Sequence, residues 1–148
     1  MDVSLFEQFN NSFDVEGLRR DVALSGKREY VDVPIGDYEV AISRLALDKS
    51  KAGLPQVQVW FNVLSGEYTG QRIFMYQNVT ADFQIKIVNA FLKDLDSGVD
   101  VDFYDFVQYG NMIESIFRAV DGHYEYQLAY GENEKGFKTF EIVQKFEK

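Results

Sequence analysis

A strict alternation of apolar and polar residues runs through Gln56-Val57-Gln58-Val59-Trp60-Phe61-Asn62-Val63, and it limits this stretch to a β-strand with one dry face and one wet face. A helix would spread Val57, Val59, Phe61 and Val63 around its circumference, whereas a strand gathers them on one side. Trp60 falls with Gln56, Gln58 and Asn62 on the wet side. A large aromatic on a polar sheet face is uncommon unless something covers it. Two coverings fit: a helix or loop of the same chain, or a planar ligand such as an unpaired nucleic-acid base.

The neighbouring segments supply more strands. Tyr38-Glu39-Val40-Ala41-Ile42 alternates with Tyr38, Val40 and Ile42 inward, and then Leu45 and Leu47 carry the apolar character on the opposite parity. A β-bulge in a long, curved strand produces that slip. The polar Asp48-Lys49-Ser50-Lys51-Ala52-Gly53 connects to a second strand over 54–64, the turn 65–70 to a third over 71–77, and the three make an antiparallel meander. The period then changes. After Thr80-Ala81-Asp82, the residues Phe83, Ile87, Val88, Phe91, Leu92 and Leu95 recur at helical spacing. A second helix is expected over 103–120, with Phe106, Val107, Met112, Ile113, Ile116 and Phe117 as its stripe. Strands resume over 124–130 and 138–143 around a turn at Gly131 to Gly136.

Three strands, a helical insert and two strands is the element order of a five-stranded antiparallel OB-fold-like barrel, so a mainly β domain is expected over 31–148. Residues 1–30 carry Leu5, Phe6, Phe9 and Phe13 and read as an N-terminal arm or short helix packed on the body. OB-folds bind oligonucleotides across strands two and three and through the loops joining strands one to two and four to five. Here Lys49, Lys51, Lys135 and Lys138 lie in or beside those loops. If Ile73 and Met75 point inward, then Arg72, Phe74 and Tyr76 share the face of Trp60. The opposite phase, with Phe74 and Tyr76 in the core, satisfies the pattern equally.

Charge is the obvious objection to a nucleic-acid partner, since the chain carries a net −9. Its distribution answers most of it. Residues 94–121 hold seven acids and only Arg118, whereas residues 37–78 balance four acids with four bases. The strand-rich part around Trp60 is neutral. With 148 residues, 46% of them hydrophobic, the chain has enough apolar mass for one core. It has no cysteine and one histidine, His123, which removes disulfides and leaves zinc almost without ligands. No segment reads as a signal peptide or a membrane span, and a cytoplasmic protein is expected.

Val33-Pro34-Ile35-Gly36-Asp37-Tyr38-Glu39-Val40, Ser50-Lys51-Ala52-Gly53-Leu54-Pro55 and Val63-Leu64-Ser65-Gly66-Glu67-Tyr68-Thr69-Gly70-Gln71-Arg72-Ile73-Phe74 resemble a family of small bacteriophage and prophage proteins. The similarity runs from Phe13 to Val22 through Gly136 to Glu141, nearly the whole chain. The resemblance implies a single-stranded DNA-binding protein of phage replication and recombination clusters, working in the bacterial cytoplasm. Phage or host replication and recombination proteins are then further partners. Many single-stranded DNA-binding proteins end in an acidic tail that recruits partners, whereas this sequence closes on Gln144-Lys145-Phe146-Glu147-Lys148. Recruitment through a tail is therefore not expected, unless the acidic 94–121 segment serves instead.

Other chemistries fit less well. Asp94 and Asp105 are spaced like the ends of a calcium loop, but Val99 stands where the turn needs glycine. A solvated acidic loop leading into a helix N-terminus is the simpler reading. His123 has no serine or cysteine motif to activate. The expectation is therefore a protein that is not an enzyme, without metal or cofactor. Bases would stack on Trp60, with Phe74, Tyr76 or Tyr126 contributing, and Arg44, Lys49, Lys51, Arg72, Lys135 and Lys138 would contact phosphates. The alternative is an acidic protein-interaction module that mimics nucleic acid to bind or inhibit a host protein. Exposed edge strands make a homo-oligomer compatible with either.

Overall fold

The computed structural model describes residues 31–148 together with 6–8, 10, 15–17 and 19, which are helical. Two compact units divide the chain, Met1–Asp32 and Val33–Lys148. The expectation of an arm or short helix over 1–30 falls mostly outside the described residues. The second unit carries β1 (Gly36–Lys49), β2 (Pro55–Val63), β3 (Arg72–Asn78), α1 (Asp82–Asp94), α2 (Phe106–Val120), β4 (Tyr124–Glu132) and β5 (Lys138–Glu147) in that order.

The five strands form one antiparallel sheet in the order β3-β2-β1-β4-β5. It is mainly β architecture, but the sheet is not closed into the expected barrel: β3 and β5 are its two edges. The sheet nevertheless curls strongly. Phe61 of β2 stacks on Phe140 of β5 with ring centroids 6.0 Å apart, although β1 and β4 lie between those strands in the ladder. Three flat inter-strand steps would separate them by about 14 Å. Closure by hydrogen bonds is replaced by a helix, because α1 packs against both edge strands and Phe91 of α1 meets the edge of the Phe61 ring at 6.0 Å. Apolar surface that a closing ladder would bury is buried under α1 instead.

Local chemistry fixes the helix ends. The Gln84 side-chain oxygen accepts from the backbone N–H of Thr80 and Ala81, satisfying donors at the start of α1. Asp105 caps α2 by accepting from the Gln108 N–H at 2.8 Å, so α2 begins at Phe106, three residues later than the expected start at 103. Of the expected stripe of α2, Met112, Ile113 and Ile116 are buried, joined by Tyr109 and Val120, whereas Phe106 and Val107 are exposed; the helix packs on β1. Tyr109 donates to Asn89 at 2.7 Å and ties the two helices together.

The core takes the odd residues of β2 (Val57, Val59, Phe61 and Val63) with Ile73 and Met75 of β3, all at most 4% exposed. In β1 the register shifts between Ile42 and Arg44, leaving Ser43 as the extra residue of a bulge. Val40 and Ile42 before it and Leu45 after it are all buried, as the slip in parity required.

Candidate nucleic-acid interface

Because Ile73 and Met75 are inward, Arg72, Phe74 and Tyr76 are outward, and the β2–β3 register sets them on the face of Trp60. Trp60 pairs with Phe74, Gln58 with Tyr76 and Asn62 with Arg72. Phe74 is 41% exposed and Tyr76 51%, while Trp60 is half-buried between them and β1. The rings interlock. Trp60 meets Phe74 edge-on at 5.9 Å, and Phe74 lies nearly parallel to Tyr76 at 6.1 Å. The indole N–H donates to the Tyr76 hydroxyl at 3.1 Å.

The bulge brings a cation to this cluster. By parity Arg44 belongs with Val40 and Ile42 and would point into the core. The extra Ser43 turns it outward, opposite Trp60, with its guanidinium 5.4 Å from the indole centroid. Arg72 reaches the same ring from β3 at 5.6 Å. One guanidinium on each flank makes the indole a braced centre, its π-face already engaged by cations. The more open stacking surfaces are therefore Phe74 and Tyr76. A planar group inserted between those two rings would need about 7 Å, two carbon contacts of ~3.5 Å, more than their 6.1 Å separation, so only their outer faces are open to stacking.

Arg44 is held by three hydrogen bonds to two side chains. Its Nε and Nη2 donate to the Gln58 side-chain oxygen at 3.3 and 3.1 Å, and Nη2 also donates to Asp48 at 2.9 Å. A ladder of amides continues from there. Gln58 donates to Gln56 at 3.1 Å, and Gln56 to Asn78 at 3.1 Å. Ser43 donates to the Trp60 carbonyl at 3.3 Å. Sequence reading named the rings and arginines but not Asp48, Gln58 and Ser43, which orient them. Their signal was present in the i, i+4 spacing of Arg44 and Asp48 and in the parity slip itself.

The remaining expected residues separate into two groups. Lys49 and Lys51 are exposed at the β1–β2 connection, while the β4–β5 hairpin bearing Lys135 and Lys138 lies beyond the other end of β1, where Gly36 pairs with Tyr130. Lys138 is 3.7 Å from Glu132 and stands over Tyr130. Tyr126, expected to contribute to stacking, does not share this face. It is fully buried, it pairs with the core residue Val40, and its hydroxyl donates to the Leu95 carbonyl at 2.8 Å. Burial also holds its phenol pKa above the ordinary value. It braces β4 against the end of α1 and has no surface on which to stack a base.

Several acids of the 94–121 segment have structural duties. Asp105 caps α2, Asp102 accepts from the Phe103 N–H, and Asp96 accepts from Lys145, which also stands 4.4 Å from the Tyr124 ring centroid. The Asp96 bond raises the pKa of Lys145 and fastens the end of β5 to the turn after α1. A separate recess is lined by Asp37, Tyr38, Glu39, Ser65, Gly66, Glu67 and Gln127. Its three carboxylates make it a poor host for phosphate.

Comparison with curated proteins finds no match to this chain. A family model described as "Protein of unknown function (DUF669)" matches residues 21–105. That span contains β1, β2, β3 and α1, and with them Arg44, Asp48, Trp60, Arg72, Phe74 and Tyr76; it ends before α2 and the β4–β5 hairpin. With more than half of its length matched, the chain belongs to the DUF669 family of proteins of unknown function.

Proposed function

We propose that this protein binds single-stranded DNA with little sequence preference, as a non-enzymatic component of phage replication or recombination in the bacterial cytoplasm. One observation carries the reading: Trp60, Phe74 and Tyr76 stand together on the outward face of β2 and β3, flanked by Arg44 and Arg72. Exposed rings on a sheet face with guanidiniums beside them suit a base-stacking platform with phosphate contacts at its rim. The sheet order supports an OB-like reading, in which the arrangement is left open between β3 and β5 and the strand two and three face is the binding face. Trp60 is the lone tryptophan, so its fluorescence reports directly on the cluster. Titration with oligo-dT at low salt quenches it; an unchanged spectrum with no complex by gel shift refutes the assignment.

A second reading rests on the acidic segment, where Tyr104 is 81% and Val107 75% exposed among Asp100, Asp102 and Asp105. An acidic, aromatic surface of that kind suits a basic protein partner. Competition separates the two: a nucleic-acid mimic displaces DNA from such a partner and has no affinity of its own for oligo-dT.

Among the described residues no helix is long and apolar enough to cross a membrane.

A further inference from the structure

The indole N–H of Trp60 donates to Tyr76 Oη at 3.1 Å, and this one bond determines how the phenol is used. An indole nitrogen is a donor only, so the Tyr76 oxygen must be the acceptor. The hydroxyl hydrogen of Tyr76 then cannot point at the indole. Tyr76 is 51% exposed, so that hydrogen can turn to an acceptor outside the protein. Accepting one hydrogen bond polarises the phenol and strengthens it as a donor. No shared proton or charge is involved, because both groups are neutral.

Resting on the proposed function, we infer that the Tyr76 hydroxyl is a neutral anchor for a backbone phosphate oxygen of the bound strand, aligned by Trp60. Its place favours the backbone over a base. The hydroxyl lies at the edge of the ring, while a base stacked on Tyr76 covers the ring face. In a chain with net charge −9, an uncharged donor holds a phosphate without adding a cation to the site. Such a contact releases no counterion, whereas each guanidinium that meets a phosphate does. Tyr76 thus contributes affinity that persists at high salt, and Arg44 and Arg72 contribute affinity that does not.

The test is Tyr76→Phe, which keeps the ring and removes only the hydroxyl. Binding of oligo-dT and oligo-dA is measured by anisotropy of a labelled strand across a salt series, with Tyr76→Leu and Arg72→Gln alongside. Tyr76→Phe weakens both oligonucleotides roughly ten- to hundredfold, as expected for a lost hydrogen bond to a charged group. Its slope of log affinity against log salt stays that of the wild type, while Arg72→Gln flattens the slope. Tyr76→Leu, which also loses the stacking ring, weakens binding further. Release of the indole N–H to water moves Trp60 emission to the red in Tyr76→Phe. Wild-type affinity in Tyr76→Phe overturns the inference, and so does a loss confined to oligo-dT, which would place the contact on a base. If the wild-type protein binds neither oligonucleotide, the proposed function itself fails, a result distinct from either of these.

Discussion

For the proposed binding of single strands, salt dependence measures how much of the charged surface takes part, and two very different values are expected from two sets of contacts. Single strands lose affinity with a log–log slope of about −0.7 for every phosphate neutralised by a cation. Arg44 and Arg72 are the guanidiniums placed against the rings. Two such contacts give a slope of about −1.4. Were Lys49, Lys51, Lys135 and Lys138 also engaged, six contacts would give about −4. We expect the shallow value. The lysines divide between opposite ends of β1, Lys138 sits near Glu132, and the acidic remainder of the chain disfavours a long strand path. Between about 50 and 200 mM salt, the affinity for a short oligo-dT should fall about sevenfold rather than several hundredfold. Trp60 quenching or anisotropy over that range provides the assay. A slope steeper than about −3 refutes the two-arginine face and assigns binding to the loops, because about four phosphates would then be neutralised, at least two of them by cations other than Arg44 and Arg72.

Asp48→Asn should strengthen oligo-dT binding by about two- to fivefold, since an exposed ion pair contributes only about 0.2–1 kcal/mol and Arg44 no longer shares its charge with a carboxylate. The gain should vanish in an Arg44→Gln background, and equal gains in both backgrounds would reduce it to a general charge effect. Tyr126→Phe leaves the Leu95 carbonyl without its buried donor and should cost about 1–3 kcal/mol in urea unfolding, with oligo-dT affinity unchanged. Burial raises the phenol pKa of Tyr109 and Tyr126 above the ordinary 10.0, so the folded state favours the protonated forms. Their contribution to stability is complete below that pH and is lost as pH rises above it. Thermal melts from pH 8 to 11 should show this decline, and Tyr126→Phe should lessen it; a flat profile would contradict the burial argument.

Period decides what a single sequence reveals here. The alternation in β2 and the slip in β1 follow from which residues avoid water, and the helical stripes locate α1 and α2, although Phe83, Ile87, Phe106 and Val107 of those stripes are exposed. Trp60 on the wet face belongs to the same class of information. The phase of β3 does not, because Ile73, Phe74, Met75 and Tyr76 are all apolar or aromatic and either parity yields a plausible core. Pairing with β2 resolves it, since Ile73 must stand opposite Phe61 and Met75 opposite Val59. Tyr126 shows the converse. Its alternation in β4 marks a side but cannot say that the side is sealed by the end of α1.

Sequence by itself determined the elements, their order, the bulge and the lone indole on a polar face, because these depend on contacts between near neighbours and on hydrophobicity alone. Tertiary structure decided that the sheet stays open between β3 and β5, that α1 fills the gap, and that Arg44 and Arg72 converge on Trp60 from separate strands. Those are outcomes of register and curvature, which sum many weak contacts between residues distant in the chain. The indole that stood out by its parity is, in the folded chain, the clasp that orients two arginines and a phenol around one surface.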